Sequence, residues 1–368
     1  MQIERVDLWI TRLQLVRPFV TSSSRREHLD HILVKAYADG LAGWGECASP
    51  SDPYYCEETT ETCWHMLADF LVPAVLGRPW TTVEEVAGFY GKVRRNNFAK
   101  AGLEMACWDL LARARGLPLH ALLGGSRAEI LSGVSLGIEQ DPGRLLALVD
   151  RYLGEGYRRI KLKIGPGKDV DVVAEVRKHH PDVPLMVDAN SAYTLADVAH
   201  LKRLDAFGLM MIEQPLAHDD IVDHARLQAE LQTPICLDES IHSAEDARKA
   251  LELGSGRIIN VKVSRLGGLL EARRVHDYCH ARGVPVWCGG MHEFGIGRAA
   301  NVAISSLAGF TIPGDVSGSD KYYRQDVVSP PIRAAGGAIA VPDGPGLGYE
   351  PDEGFIRRNA IRAASLTA

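Results

Sequence analysis

The sequence predicts an α/β fold: a parallel β/α barrel with an irregular last unit, preceded by an α+β capping module over residues 1–125. Three observations carry that expectation. Lys163, Asp188, Glu213, Asp238 and Lys262 follow one another at intervals of 25, 25, 25 and 24 residues. Each ends a short apolar run, such as Leu-Met-Val-Asp or Ile-Cys-Leu-Asp, and a repeat of that length suits one strand plus one helix. Ahead of the repeat, strand-like segments precede helix-like ones, the order of an α+β module.

Ile3 to Leu8 and His31 to Tyr37 alternate apolar and polar residues between Gly-rich turns, as strands of an antiparallel meander do. Gly43-Trp44-Gly45-Glu46 falls in a hairpin and lacks the strand-to-helix context of a phosphate-binding loop. From Tyr55 the apolar period lengthens, predicting helices over 57–71, 82–93 and 99–114, the last closed by Gly116-Leu117-Pro118. The barrel, residues 126–322, opens with a strand at 133–138 and a helix at 142–153. Further strands are predicted at 159–163, 183–188, 208–213, 233–238, 257–262 and 285–288. The helices between them include 244–253 and 266–282. An eighth strand, at 310–312, carries the weakest pattern. Residues 323–368 hold Gly and Pro without the barrel period and are expected to return over the capping module.

Composition narrows the function. The chain has 368 residues, 46% hydrophobic and 24% charged, as an ordinary globular protein does. A net charge of −6, with arginine pairs that lack interleaved aromatics, argues against nucleic acid as a partner. No apolar run approaches the ~20 residues that cross a bilayer, and the charged N-terminus lacks a signal-peptide core, so no membrane partner is expected. Seven scattered cysteines without a CxxC pair point to reduced thiols and a cytoplasmic location.

In a barrel, strand ends open onto one face, so the five charged residues should share a rim. Singly, Asp188, Glu213 and Asp238 read as helix caps. Three in one frame position read as converging hard oxygen ligands, suited to Mg²⁺ or Mn²⁺ rather than Zn²⁺. Asn190 and Glu239 stand beside them as supporting partners. Lys161 and Lys163 lie on one side of their strand. Like charges ~7 Å apart near a divalent cation disfavour protonation of one another, which suits Lys163 to work as a base. Lys262 faces the site from across the barrel. The stretch Ser264-Arg265-Leu266-Gly267-Gly268 offers backbone N–H groups at a helix start, for a carboxylate or a tight turn. Gly290, Met291 and His292 follow the seventh strand. A lone histidine there reads more often as a pocket liner than as an acid or base. Ser135, on the first barrel strand, and Arg265 complete the candidate substrate contacts.

These stretches together resemble the enolase superfamily, in its muconate-lactonizing subgroup. The likeness rests on Lys161-Leu-Lys163, Val187-Asp188-Ala189-Asn190, Ile212-Glu213-Gln214-Pro215, Leu237-Asp238-Glu239-Ser240 and Asn260-Val-Lys262, and it runs from the first strand into the tail. Within the subgroup the chain is most similar to o-succinylbenzoate synthases and N-succinylamino acid racemases. The resemblance implies a (β/α)7β TIM-like barrel under an N-terminal α+β capping domain. It also implies Mg²⁺ held by Asp188, Glu213 and Asp238, acid–base lysines at 163 and 262, and a homo-oligomer. The implied substrate is a small-molecule carboxylate that loses its α-proton, either to dehydration on the menaquinone route or to racemisation. His292-Glu293-Phe294 departs from the Leu-Glu-Ser or Leu-Glu-Thr common in relatives, a difference confined to the substrate pocket. Other readings are a dipeptide epimerase or cycloisomerase, a metal-free Schiff-base barrel, and an inert binding scaffold.

Overall fold

The computed structural model describes residues 1–20 and 25–368. It opens with β1 (Arg5–Val20), β2 (Arg25–Ala38) and β3 (Leu41–Cys47), antiparallel neighbours in a four-stranded sheet whose remaining member comes from the far end of the chain. The first two strands run well beyond the segments their alternation marks. The helix Asn97–Ala114 lies against β3, and Gly43 and Gly45 explain how closely. A Cβ at either glycine would stand 2.3 Å from the Ala106 carbonyl oxygen or 2.0 Å from that of Gly102. The glycines of this strand serve strand–helix contact.

The predicted helix 57–71 starts later, at Thr60, because Thr59 caps it, and it continues through a wider turn, Leu67–Leu71, to Val75. Glu58 is thereby freed for another task, accepting the N–H groups of Phe98 and Ala99 at 3.1 and 3.2 Å.

After β4 (Glu129–Leu131) come seven parallel strands in chain order. They are β5 (Val134–Leu136), β6 (Ile160–Lys163), β7 (Leu185–Asp188), β8 (Ile212–Glu213), β9 (Ile235–Leu237), β10 (Ile258–Val261) and β11 (Val286–Cys288). Register sets Lys163 beside Asp188 and Asp188 beside Glu213, at the carboxyl ends of the strands. Met186, Met211 and Cys236 each stand two residues before a carboxylate, so they share its face of the strand. With Ile258 and Trp287 they form a separate buried apolar layer inside the curled sheet, beneath the charged rim.

The expected eighth strand is a correction. Residues 310–314 close the circle through isolated bridges only, Val286 with Phe310 and Ser132 with Gly314. Pro313 has no N–H for a ladder. Its carbonyl accepts instead from the Arg159 guanidinium at 3.0 and 3.1 Å, and the Phe310 carbonyl accepts from Arg127. Arginine side chains do here what strand neighbours do elsewhere.

The predicted helix 266–282 is a second correction. It breaks into Val263–Leu266 and Leu269–His280 at Gly267 and Gly268, whose φ values are +90° and +133°. A Cβ on Gly268 would strike Glu104 Oε2 at 2.2 Å, and that carboxylate accepts from the N–H groups of Leu269 and Leu270 at 2.7 and 2.8 Å. The helix start anticipated as a carboxylate site is thus occupied by the protein's own Glu104, from the helix Asn97–Ala114.

Burial pushes the Glu104 carboxyl up from 4.5 to about 7. A folded-state value above the unfolded one favours the protonated native state. Its contribution to stability is therefore full below about 4.5 and lost as pH rises through about 7. Relative to Glu104→Gln, the wild type should lose on the order of 2–3 kcal/mol between pH 4.5 and 8 in urea unfolding. A difference that stays flat with pH would refute this.

The tail supplies β12 (Val328–Ser329), β13 (Ala338–Ala340), β14 (Glu350–Pro351) and β15 (Ala360–Thr367). β13 pairs with β4 at the foot of the barrel, and β15 pairs antiparallel with β1, Arg5 facing Thr367. Among the described residues no helix is long and apolar enough to cross a membrane.

Candidate active site

Lys161, Lys163, Lys262, Ser135, Asn190, Glu239, Gly290, Met291 and His292 line one cavity of about 190 Å³ at the carboxyl ends of the strands. Larger clefts at the barrel seam and beside the tail, of about 410 and 550 Å³, contain none of these groups. Asp188, Glu213 and Asp238 lie beneath the lysines, fully buried. Arg265 is off the cavity wall, behind Asp238, where its guanidinium sits 3.0 Å from Asp238 Oδ1 and donates to the Asn260 carbonyl at 2.8 Å.

The charges interlock. Lys161 Nζ lies 3.0 Å from Glu213 and 3.2 Å from Asp188, and 2.7 Å from Asp315. Lys163 Nζ donates to Asp188 Oδ2 and Asn190 Oδ1, both at 2.6 Å. Asn190 in turn donates to Glu239 at 2.8 Å. Across the barrel, Lys262 Nζ lies 2.7 Å from Asp238 and donates to the Tyr55 hydroxyl at 2.9 Å. Backbone strain gathers at the same rim. Asn190, Ser191, Gln214 and His292, which follow β7, β8 and β11, have φ of +42°, +63°, +35° and +59°.

Burial alone would lower Lys161 and Lys262, yet their carboxylates hold both well above the ordinary lysine value. Burial opposes ionisation of Asp188, but Lys163 and Lys161 keep it well below the carboxylate range. Lys262 and Arg265 similarly keep Asp238 low. Glu213 goes the other way, well above its usual value, because burial is reinforced by Asp188 and Asp238. Burial and the same two aspartates push Glu239 up to about 7.

Several oxygens of the site are nonetheless left without a hydrogen bond. Both Asp238 oxygens are within ion-pair reach of a cation, yet neither accepts a well-directed hydrogen bond, and Glu239 Oε2 and Asn260 Oδ1 are also buried without one. Unsatisfied hard oxygens of this kind fit a divalent cation. As the side chains stand, Lys161 bridges Asp188 and Glu213, and among the described residues no three acidic, histidine or cysteine groups close around one point as a ligand shell.

His292 lies against Tyr322 with ring centroids 4.8 Å apart and the planes tilted by 32°. Burial, then Lys321, Arg26 and Lys163, hold its imidazole well below the usual value. A neutral ring of this kind suits a pocket wall.

The amino-terminal 5–124 match the mandelate racemase/muconate lactonizing enzyme N-terminal domain, and 144–355 match the enolase C-terminal domain-like family. This chain belongs to the enolase superfamily. Members of its mandelate racemase/muconate lactonizing group are generally divalent-metal dependent. The chain is 55% identical over 357 residues to an o-succinylbenzoate synthase of Geobacillus stearothermophilus, covering 97% of this chain and 95% of that one. It is 47% identical over 352 residues to an N-succinylamino acid racemase of Amycolatopsis sp, covering 95% of each. An enolase-superfamily structure from Listeria innocua superposes with a TM-score of 0.97 at 37% identity, over 100% of this chain and 99% of that one.

Several residues of this superfamily site escaped the sequence reading. Asn260 donates to Glu213 at 2.6 Å, and Arg159 reaches Asp315 at 2.7 Å. Each stands two residues before a lysine already singled out, so the period of two would have placed both on the interior face. Gln214 Oε1 accepts from the Asp238 N–H at 2.9 Å, and Asp315 also accepts from Ser135 at 2.9 Å. Tyr55 and Asp315 sit in irregular segments, where no periodicity marks them.

Proposed function

We propose that this protein is a divalent-metal-dependent o-succinylbenzoate synthase, acting on a small hydroxy-carboxylate by α-proton abstraction. The observation that carries the reading is the pair of lysines, 163 and 262, facing one cavity above three buried carboxylates. Asp188, Glu213 and Asp238 would hold Mg²⁺ or Mn²⁺. Bound there, the cation stabilises negative charge developing on the substrate carboxylate. Lys163 takes the α-proton and returns it to the departing hydroxyl, so a C–H and a C–O bond break, a C=C bond forms and water leaves. Lys262 stays protonated and offsets charge on the intermediate. The reaction places the protein on the menaquinone route, and its seven free thiols suit a reducing cytoplasm.

A second activity, racemisation of N-succinylamino acids, is favoured by one feature: β6 and β10 stand four strands apart in the curled sheet, so Lys163 and Lys262 approach from opposite sides. Parallel rates for the dehydration substrate and for N-succinylamino acids test both readings. Chelation by EDTA should lower either rate at least about 100-fold, and added Mg²⁺ or Mn²⁺ should restore it. Activity indifferent to chelation would remove the metal from the mechanism.

A further inference from the structure

We propose that Tyr55 is a positioning residue for Lys262, so that proton transfer on one side of the substrate depends on a loop of the N-terminal module and on the other side does not. The inference rests on the reading that each lysine serves one face of an α-carbon.

A lysine ammonium is a point charge on a flexible four-carbon stem, and fixed partners decide where it points. Lys163 has two in Asp188 and Asn190, both at the ends of barrel strands. Lys262 has Asp238 on the barrel and Tyr55 from outside it. The phenol accepts from Nζ at 2.9 Å, and the ammonium also lies 4.7 Å from the ring centroid. Gly289 leaves room for this stem, since a Cβ there would stand 2.8 Å from Lys262 Cγ.

The loop that delivers Tyr55 joins β3 to the helix Thr60–Met66 and is tied down at several points. Thr60 N–H donates to the Pro50 carbonyl at 2.8 Å and closes its neck. Glu58 anchors it to the start of the helix Asn97–Ala114, and Asp52 pairs with Arg26 of β2 at 3.1 Å. Tyr54, 69% exposed, and Tyr55 both line the cavity, and Tyr55 reaches in to Lys262. A hydroxyl held this way fixes Lys262 without joining the chemistry.

The test is Tyr55→Phe, which keeps the ring and removes only the acceptor. Each enantiomer of N-succinylphenylalanine is incubated separately with the Mg²⁺-loaded enzyme in D₂O, and loss of the α-proton signal is followed by NMR. Lys163→Ala and Lys262→Ala identify which enantiomer each lysine serves. Exchange of the Lys262 enantiomer should fall about tenfold, the scale of one hydrogen bond, with the Lys163 enantiomer within about twofold and KM unchanged for both. Equal slowing of both, slowing of the Lys163 enantiomer alone, or no slowing overturns the proposal. Exchange of neither enantiomer by the wild type would overturn the racemase reading, and this inference with it, while leaving the dehydration reading to its own assay.

Discussion

Lys163→Ala should lower kcat for dehydration by about 10²–10⁴, the range that a positioned acid–base group contributes. In the dehydration scheme the same side chain serves twice, as the neutral amine that takes the proton and then as the ammonium that returns it, so both half-steps fail together. Divalent-cation binding should survive, because removing a positive charge 2.6 Å from Asp188 leaves the acidic floor more negative. Calorimetric titration with Mg²⁺ separates the two effects. A fully active variant, or one that loses the cation along with the rate, would end the assignment of Lys163 as the proton carrier.

The second large effect is structural. Glu46, at the end of β3, is fully buried, and its carboxylate accepts from the N–H groups of Phe294 and Gly297, both at 2.7 Å. It also lies 2.7 Å from His31 Nδ1. Phe294 and Gly297 begin the helix Gly295–Ser305, which follows the loop bearing Met291 and His292. One side chain of the N-terminal sheet therefore caps a barrel helix next to the cavity. Glu46→Ala leaves two helix N–H groups and a histidine without their partner, and should cost about 3–5 kcal/mol in urea unfolding. Glu46→Gln keeps the volume and one acceptor and should cost less. A loss within experimental error for the alanine variant would show that water replaces the carboxylate freely.

The ionic site was readable because a barrel repeats. Lys163, Asp188, Glu213, Asp238 and Lys262 occupy one place in successive β/α units, so their spacing alone brings them to a common rim. The groups around them follow no such rule. Tyr55 meets Lys262 across 207 residues, from a loop whose course is set by Glu58, Asp52 and Pro50 rather than by any apolar period. Asp315 follows the segment that failed to become a strand, and its side-chain contacts with Lys161 and Arg159 carry no periodicity that could have forecast them. The helix break at Gly267-Gly268 was hidden for a related reason, since the residue that requires it, Glu104, comes from a different module.

The pairing of β15 with β1 sets an order of assembly. During synthesis the barrel repeats emerge between the two halves of the N-terminal sheet, so that sheet lacks an edge until the ribosome has passed the last repeat. The nascent protein must carry a three-stranded meander with its β1 edge unpaired through most of translation. The loop bearing Tyr55 springs from that same sheet, so the sheet beneath the catalytic rim is complete only once a strand made after the barrel has docked.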